Sequence, residues 1–101
     1  MRRQSLCWSG NYIQHSAHIR PGRDGLFNLI KGIPPTLRHQ PGVIVADGDY
    51  VILHSHWHGL SDDPRGEAVM DLFRMENGKV VEHWDVIQPI PETAANSNTM
   101  F

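Results

Sequence analysis

One cysteine, Cys7, stands in 101 residues, so no disulfide closes within the chain, and a lone thiol fits a reducing cytoplasm. No stretch approaches the ~18 consecutive apolar residues of a membrane span. Behind Met1-Arg2-Arg3, the segment Gln4 to Asn11 is no continuous apolar run, which excludes a secretory signal of the usual build. Net charge is −2 with histidine neutral, so no basic footprint points to nucleic acid or an anionic membrane surface. Internal repeats and a low-complexity core are missing as well.

What the chain does have is the composition of one small globular domain, 40% hydrophobic and 20% charged. It also carries seven histidines. Histidine changes charge nearest neutral pH, so the enrichment directs attention to acid–base chemistry. Residues 1–91 read as a single domain, and Glu92 to Phe101, small and polar after Pro89 and Pro91, reads as a flexible tail.

Along the chain, Met1 to Gly10 has no clear period and Tyr12 to His15 is a short strand. Pro21 to Gly25 is a turn cluster, with Asp24 as N-cap of a short helix from Gly25 to Lys31 that Gly32 and Pro34-Pro35 end. From there the pattern is β. Val43 to Ala46 and Tyr50 to Leu53 flank the hairpin signal Asp47-Gly48. A third strand runs from Glu67 to Met75, and Asn77-Gly78 turns the chain into a fourth, Lys79 to Gln88. The expectation is an α+β domain: a short helix followed by four antiparallel strands in meander order.

The last strand sets Glu82, His83, Trp84 and Asp85 side by side between apolar pairs, where plain alternation is expected. The register at Asn77-Gly78 decides which of them share a face with the third strand. A two-residue turn sets Asp71 against Trp84. A three-residue turn with a bulge at Gly78 sets Asp71 opposite His83 and diagonal to Asp85. The second version gathers Val69, Asp71, Phe73, Val81, His83, Asp85 and Ile87 on one face, an apolar floor with three titratable groups at its centre, and is the one we favour. Aspartate is disfavoured in strands. Two of them mid-strand among apolar neighbours suit a general base, since burial disfavours the charged form and sharpens proton affinity. The bland alternative is a pair of solvent-facing acids balanced by Arg74 or Lys79.

Other residues carry weaker signals. His54, His56 and His58 alternate onto one side of their strand, away from Ser55 and Trp57. They spell either a metal chelate with Asp71 or Asp85 or, as we favour, no metal, with His54 turned into a pocket and the other two solvated. Glu82 and Trp84 read as surface or subunit-contact residues, and Arg74 as a partner for Glu82 or Glu76.

Taken in order, Tyr12-Ile13-Gln14-His15, Ala46-Asp47-Gly48-Asp49-Tyr50-Val51, Asp71-Leu72-Phe73-Arg74 and Gly78-Lys79-Val80-Val81-Glu82-His83-Trp84-Asp85 resemble the SnoaL-like branch of the nuclear transport factor 2-like superfamily. The likeness is to proteins described as predicted SnoaL-like aldol-condensation enzymes and runs from about Tyr12 to Pro91. It implies a cone-like curved antiparallel sheet packed on short N-terminal helical elements around an apolar cavity. It also implies acid–base residues on the sheet, no cofactor, a small-molecule substrate, and a homodimer with no nucleic-acid or membrane partner. In such cyclases an aspartate on the last long strand is the base, which Asp85 matches; Asp71 stands where they have a histidine, and His83, His54 or His15 supplies the imidazole instead. About eleven residues precede Tyr12, so the cover comes from a partner chain or the fold is shortened at its N-terminus. The reading is therefore a cofactor-independent lyase, cyclase or isomerase acting on a small carbonyl or polyketide-like compound. Its catalytic set is Asp85, Asp71, His83 and His54, with Tyr12, His15, Phe73 and Trp84 against the ligand. The alternative is a non-catalytic ligand-binding or dimerisation module of the same fold.

Overall fold

The structure, a computed structural model, describes residues 8–19 and 37–101. Five strands follow in chain order: β1 (Trp8–Gln14), β2 (Arg38–Asp47), β3 (Tyr50–His58), β4 (Glu67–Glu76) and β5 (Lys79–Pro89). They form one sheet in the order β1-β5-β4-β3-β2. The expected helix Gly25 to Lys31 and its cap Asp24 lie outside the described residues, among which there is no helix.

Two turns set the antiparallel part. Asp47 pairs with Tyr50, so the β2–β3 loop is centred on Gly48-Asp49, one residue beyond the expected position. Gly48 takes φ 58° at the first central position, which only glycine adopts at no cost. In the β4–β5 turn, Asn77 and Gly78 both lie in the left-handed region, φ 53° and 76°. This is the backbone of a two-residue type I′ turn, closed by Glu76 opposite Lys79.

The register beyond that turn departs from both expected versions. The ladder slips between Arg74 and Met75, so that Met75 pairs with Val80 but Arg74 with Glu82, leaving Val81 as the extra residue of a bulge. The bulge thus sits at Val81 rather than Gly78. It sets Asp71 opposite Asp85 and Phe73 opposite His83. Because the slip is an even step from the favoured version, Val69, Asp71, Phe73, His83, Asp85 and Ile87 still share a face, although the facing pairs change and Val81, expected there, is the bulge residue instead.

The expected all-antiparallel sheet is corrected by β1, which runs parallel to β5 and pairs Ile13 with Glu82 and Gln14 with His83. A parallel strand is joined through a long connection instead of a tight turn. No local turn signal announces it.

The sheet has two distinct faces. One carries Leu53, Ser55 and Trp57 of β3, Glu67, Val69, Asp71 and Phe73 of β4, and His83, Asp85 and Ile87 of β5. A small core of buried Tyr12 and Val80 with Phe73 and Met75 underlies its turn end. The opposite face carries Tyr50, Ile52, His54 and His56 beside Ala68, Met70, Leu72 and Arg74, then Glu82, Trp84 and Val86. Residues 92–101 form no strand, and Phe101 stacks on His54 and His56 of that opposite face, at 5.5 and 4.3 Å between ring centroids.

Candidate active site

Asp71, His83 and Asp85 are brought together by the β4–β5 ladder, and one ligand-type atom from each lies within 4.8 Å of the others. His83 is 5% exposed. Its ring lies on that of Phe73, centroids 4.9 Å apart and planes inclined by 19°, and its Nε2 meets Asp71 Oδ1 at 2.8 Å. The set of two carboxylates and one imidazole is also one that a divalent cation accepts. The contacts in place are those of a hydrogen-bonded acid–base group.

The other ring nitrogen fixes the proton count. Nδ1 lies 2.9 Å from Gln14 Oε1, and the same oxygen accepts the backbone N–H of Ser16 at 2.9 Å. A backbone nitrogen can only donate, so this atom of Gln14 is the carbonyl oxygen and His83 Nδ1 carries a hydrogen. The Nε2–Asp71 contact then holds one proton, on the imidazole or on the carboxyl. Asp85 faces this pair from the next ladder position.

Tyr12 completes the group from β1. It is buried, and its hydroxyl accepts a 2.6 Å hydrogen bond from Gln14 Nε2. Burial pushes its phenol well above the ordinary value, and the carboxylates of Asp85 and Asp71 push the same way against the opposing Gln14 bond. Tyr12 is therefore a neutral hydroxyl at any working pH.

Of the expected residues, Asp71, His83, Asp85, Tyr12 and Phe73 share this face. His54, His15 and Trp84 do not, which corrects their expected place in the pocket. Alternation turns His54 to the opposite face, where it pairs with Met70 while Leu53 stands beside Asp71. His15 follows the end of β1. Its backbone N–H bonds His83 O at 2.8 Å, but its ring stacks on Trp84 across the sheet, 4.7 Å apart and nearly parallel. There His15 Nε2 meets Glu82 Oε2 at 2.6 Å and Arg74 Nε donates to Glu82 Oε1 at 2.8 Å. Arg74 also reaches Glu76 at 3.5 Å, so it pairs with both expected acids. These bonds, His15 first and Arg74 second, hold the Glu82 carboxyl below its usual range. His54, His56 and His58 form no group with metal-ligand spacing among the described residues.

Gln14 was missed by sequence reasoning. Its signal was the period-two spacing from Tyr12, which puts both on one face once β1 joins the sheet. Glu67, at the far end of the same face, is 5% exposed. Its Oε1 accepts from Ser61 at 2.7 Å and its Oε2 has no hydrogen-bond partner among the described residues. A hollow of about 220 Å³ at the β4–β5 turn, lined by Ser9, Glu76, Asn77, Lys79 and Val81, lies apart from the acid–base group.

The fold of this sheet is shared with solved structures. One is a candidate isomerase of the SnoaL-like family from Agrobacterium tumefaciens, with TM-score 0.70 and 14% identity over 87% of this chain and 82% of that one. A second is a loop-truncation variant of IdmH from Streptomyces antibioticus, proposed to be a polyketide cyclase, with TM-score 0.68 and 20% identity over 85% and 78% of the two chains. A third is AclR from Streptomyces galilaeus, proposed to be a hydroxylase, with TM-score 0.64 and 26% identity over 82% and 72%. No curated protein matches the sequence closely enough to lend it a function. The SnoaL-like domain family matches residues 7–83, most of the chain, and the protein belongs to that family.

Proposed function

We propose that the protein is an acid–base enzyme needing no cofactor, carrying out lyase, cyclase or isomerase chemistry of the aldol type on a small carbonyl or polyketide-like compound. The observation that carries this reading is the Asp71–His83–Asp85 group, with the apolar Leu53, Val69, Phe73 and Ile87 beside it on the same face. Asp85 acts as the base that removes a proton α to the carbonyl. The His83–Asp71 pair donates the one proton held at Nε2–Oδ1 to the developing enolate oxygen, so that an enol forms as Asp85 gains the carbon's proton and the pair gives up its own. Phe73 and Tyr12 line the pocket beside them. A positioned base contributes about 10²–10⁴ in rate and an oxyanion donor about 10²–10³. The proposed polyketide cyclase among the neighbours supports the substrate class.

The opposite face favours a homodimer as part of the same proposal. Ile13, Tyr50, Ile52, Met70 and Val86 are all exposed there, Val86 at 69%, in one apolar patch around Trp84. We assign the patch to a second copy of the chain, and the lone Cys7 to a reducing cytoplasm. Val86→Arg is expected to lower the sedimenting mass while leaving the acid–base face intact.

The function is tested by incubating the protein with β-hydroxy ketones and polyketide-like aromatics and reading products by mass spectrometry. A compound converted at a rate above the buffer blank supports the reading. Ligands that raise thermal stability and are recovered unchanged would instead favour a binding module of the same fold.

A further inference from the structure

We infer that Gln14 is a positioning residue that holds the Nε2 edge of His83 toward Asp71 and keeps hydrogen on Nδ1. For its effect on turnover, the inference rests on the acid–base reading above; for its effect on the imidazole, it rests on geometry alone.

The plane and the rotation of the His83 ring are set by different neighbours. Phe73 fixes the plane by stacking at 4.9 Å, yet a stacked ring still turns over within that plane and exchanges its nitrogen and carbon edges. Gln14 removes that freedom. Its Oε1 is pinned by the Ser16 N–H at 2.9 Å and its Nε2 by the Tyr12 hydroxyl at 2.6 Å. With both ends of the amide held, the carbonyl presents one lone pair to His83, and Nδ1–H fills it at 2.9 Å. Nε2 must then point at Asp71 Oδ1, 2.8 Å away.

The anchor is built into the fold. Gln14 and His83 are Cα partners in the parallel β1–β5 ladder. Ser16, buried at the turn that follows β1, holds that turn through its carbonyl, which accepts the Ile19 N–H. The edge strand β1 thus brings one amide to the imidazole and ties it at both ends. Free neutral imidazole prefers hydrogen on Nε2, so in the neutral ring the arrangement imposes the less common tautomer and turns the Nε2 lone pair toward Asp71. A hydrogen bond to the ring nitrogen away from the reacting group also orients the histidines of metal sites and catalytic triads.

The test is the tautomer itself, read by ¹⁵N–¹H correlation of the His83 imidazole at a pH where the ring is neutral. Wild type is expected to show hydrogen on Nδ1. Gln14→Leu removes the acceptor and is expected to admit the Nε2–H tautomer. Gln14→Glu keeps an acceptor oxygen and is expected to restore Nδ1–H. On any substrate turned over, Gln14→Leu should lower kcat at least about tenfold with KM nearly unchanged, within the range of a displaced general acid, and Gln14→Glu should recover part of it. A wild-type ring with hydrogen on Nε2 overturns the inference, and that spectrum suffices even where Gln14→Leu fails to fold. An unchanged tautomer in folded Gln14→Leu overturns it equally. The expected tautomers in a protein that converts no substrate would uphold the positioning role and refute the acid–base function.

Discussion

Asp85 stands directly opposite Asp71 across the β4–β5 ladder, on the face that also holds His83. Two carboxylates at facing positions of one ladder repel each other, and the imidazole bonded to Asp71 at 2.8 Å offsets that repulsion through the one proton it shares. The pair is therefore asymmetric. Asp71 is tied to His83 and Asp85 is not, which separates a proton-holding pair from a base.

The histidines of β3 lie across the sheet from this group, so they are dispensable for its chemistry. A variant with His54→Asn, His56→Asn and His58→Asn is expected to keep its kcat within about twofold. Its stability should fall by about 1–2 kcal/mol, from the lost stacking of Phe101 on His54 and His56 and the lost His56 Nε2–Arg65 O hydrogen bond. Steady-state kinetics and urea unfolding of the triple variant check both numbers.

Gly66 leaves no room for a side chain. It takes φ 76°, and a Cβ there would run into the Trp57 carbonyl oxygen. The loop around it is bound by Asp63, whose carbonyl accepts the Gly66 N–H and whose carboxylate accepts the Arg65 backbone and guanidinium. Gly66→Ala is expected to cost more than about 2 kcal/mol, combining the left-handed backbone with the steric conflict. Chemical denaturation measures it directly.

The Glu82 clamp makes one part of the stability depend on pH. Hydrogen bonds from His15 and Arg74 depress this carboxyl below its ordinary value of 4.5 in the folded state. Its stabilisation is thus fully present above pH 4.5 and is lost as pH falls through the depressed value. Wild type should be more stable than Glu82→Gln at neutral pH, and the two should converge in acid. Urea midpoints of both proteins, followed downward from pH 7, carry the comparison; a gap that widens in acid would contradict the assignment.

How far the sequence foretold this arrangement varies by element. β4 and β5 were legible because alternation and Asn77-Gly78 act locally, and Glu76 and Lys79 close the turn as its type demands. The facing pairs were not, because the slip is absorbed at Val81, a residue that carries no bulge signature of its own. That error left the shared face of Asp71, His83 and Asp85 intact, since an even shift preserves the side. His54 was misplaced for a related reason: linking its parity to that of Asp71 needs the register across residues 59–66, which no short motif specifies. Gln14 stayed hidden because its role depends on the parallel pairing of β1 with β5, a contact between residues 69 positions apart.

The assignment of Asp85 as the base is tested most directly by deuterium exchange at the α-carbon of a β-hydroxy ketone in D₂O, followed by mass spectrometry with wild type and Asp85→Asn side by side. Asp85 is only partly buried, and asparagine keeps its shape, so both proteins should unfold at nearly the same temperature. The account predicts exchange by wild type and loss of at least about a hundredfold in Asp85→Asn. Exchange at a near wild-type rate in a folded Asp85→Asn protein would contradict it.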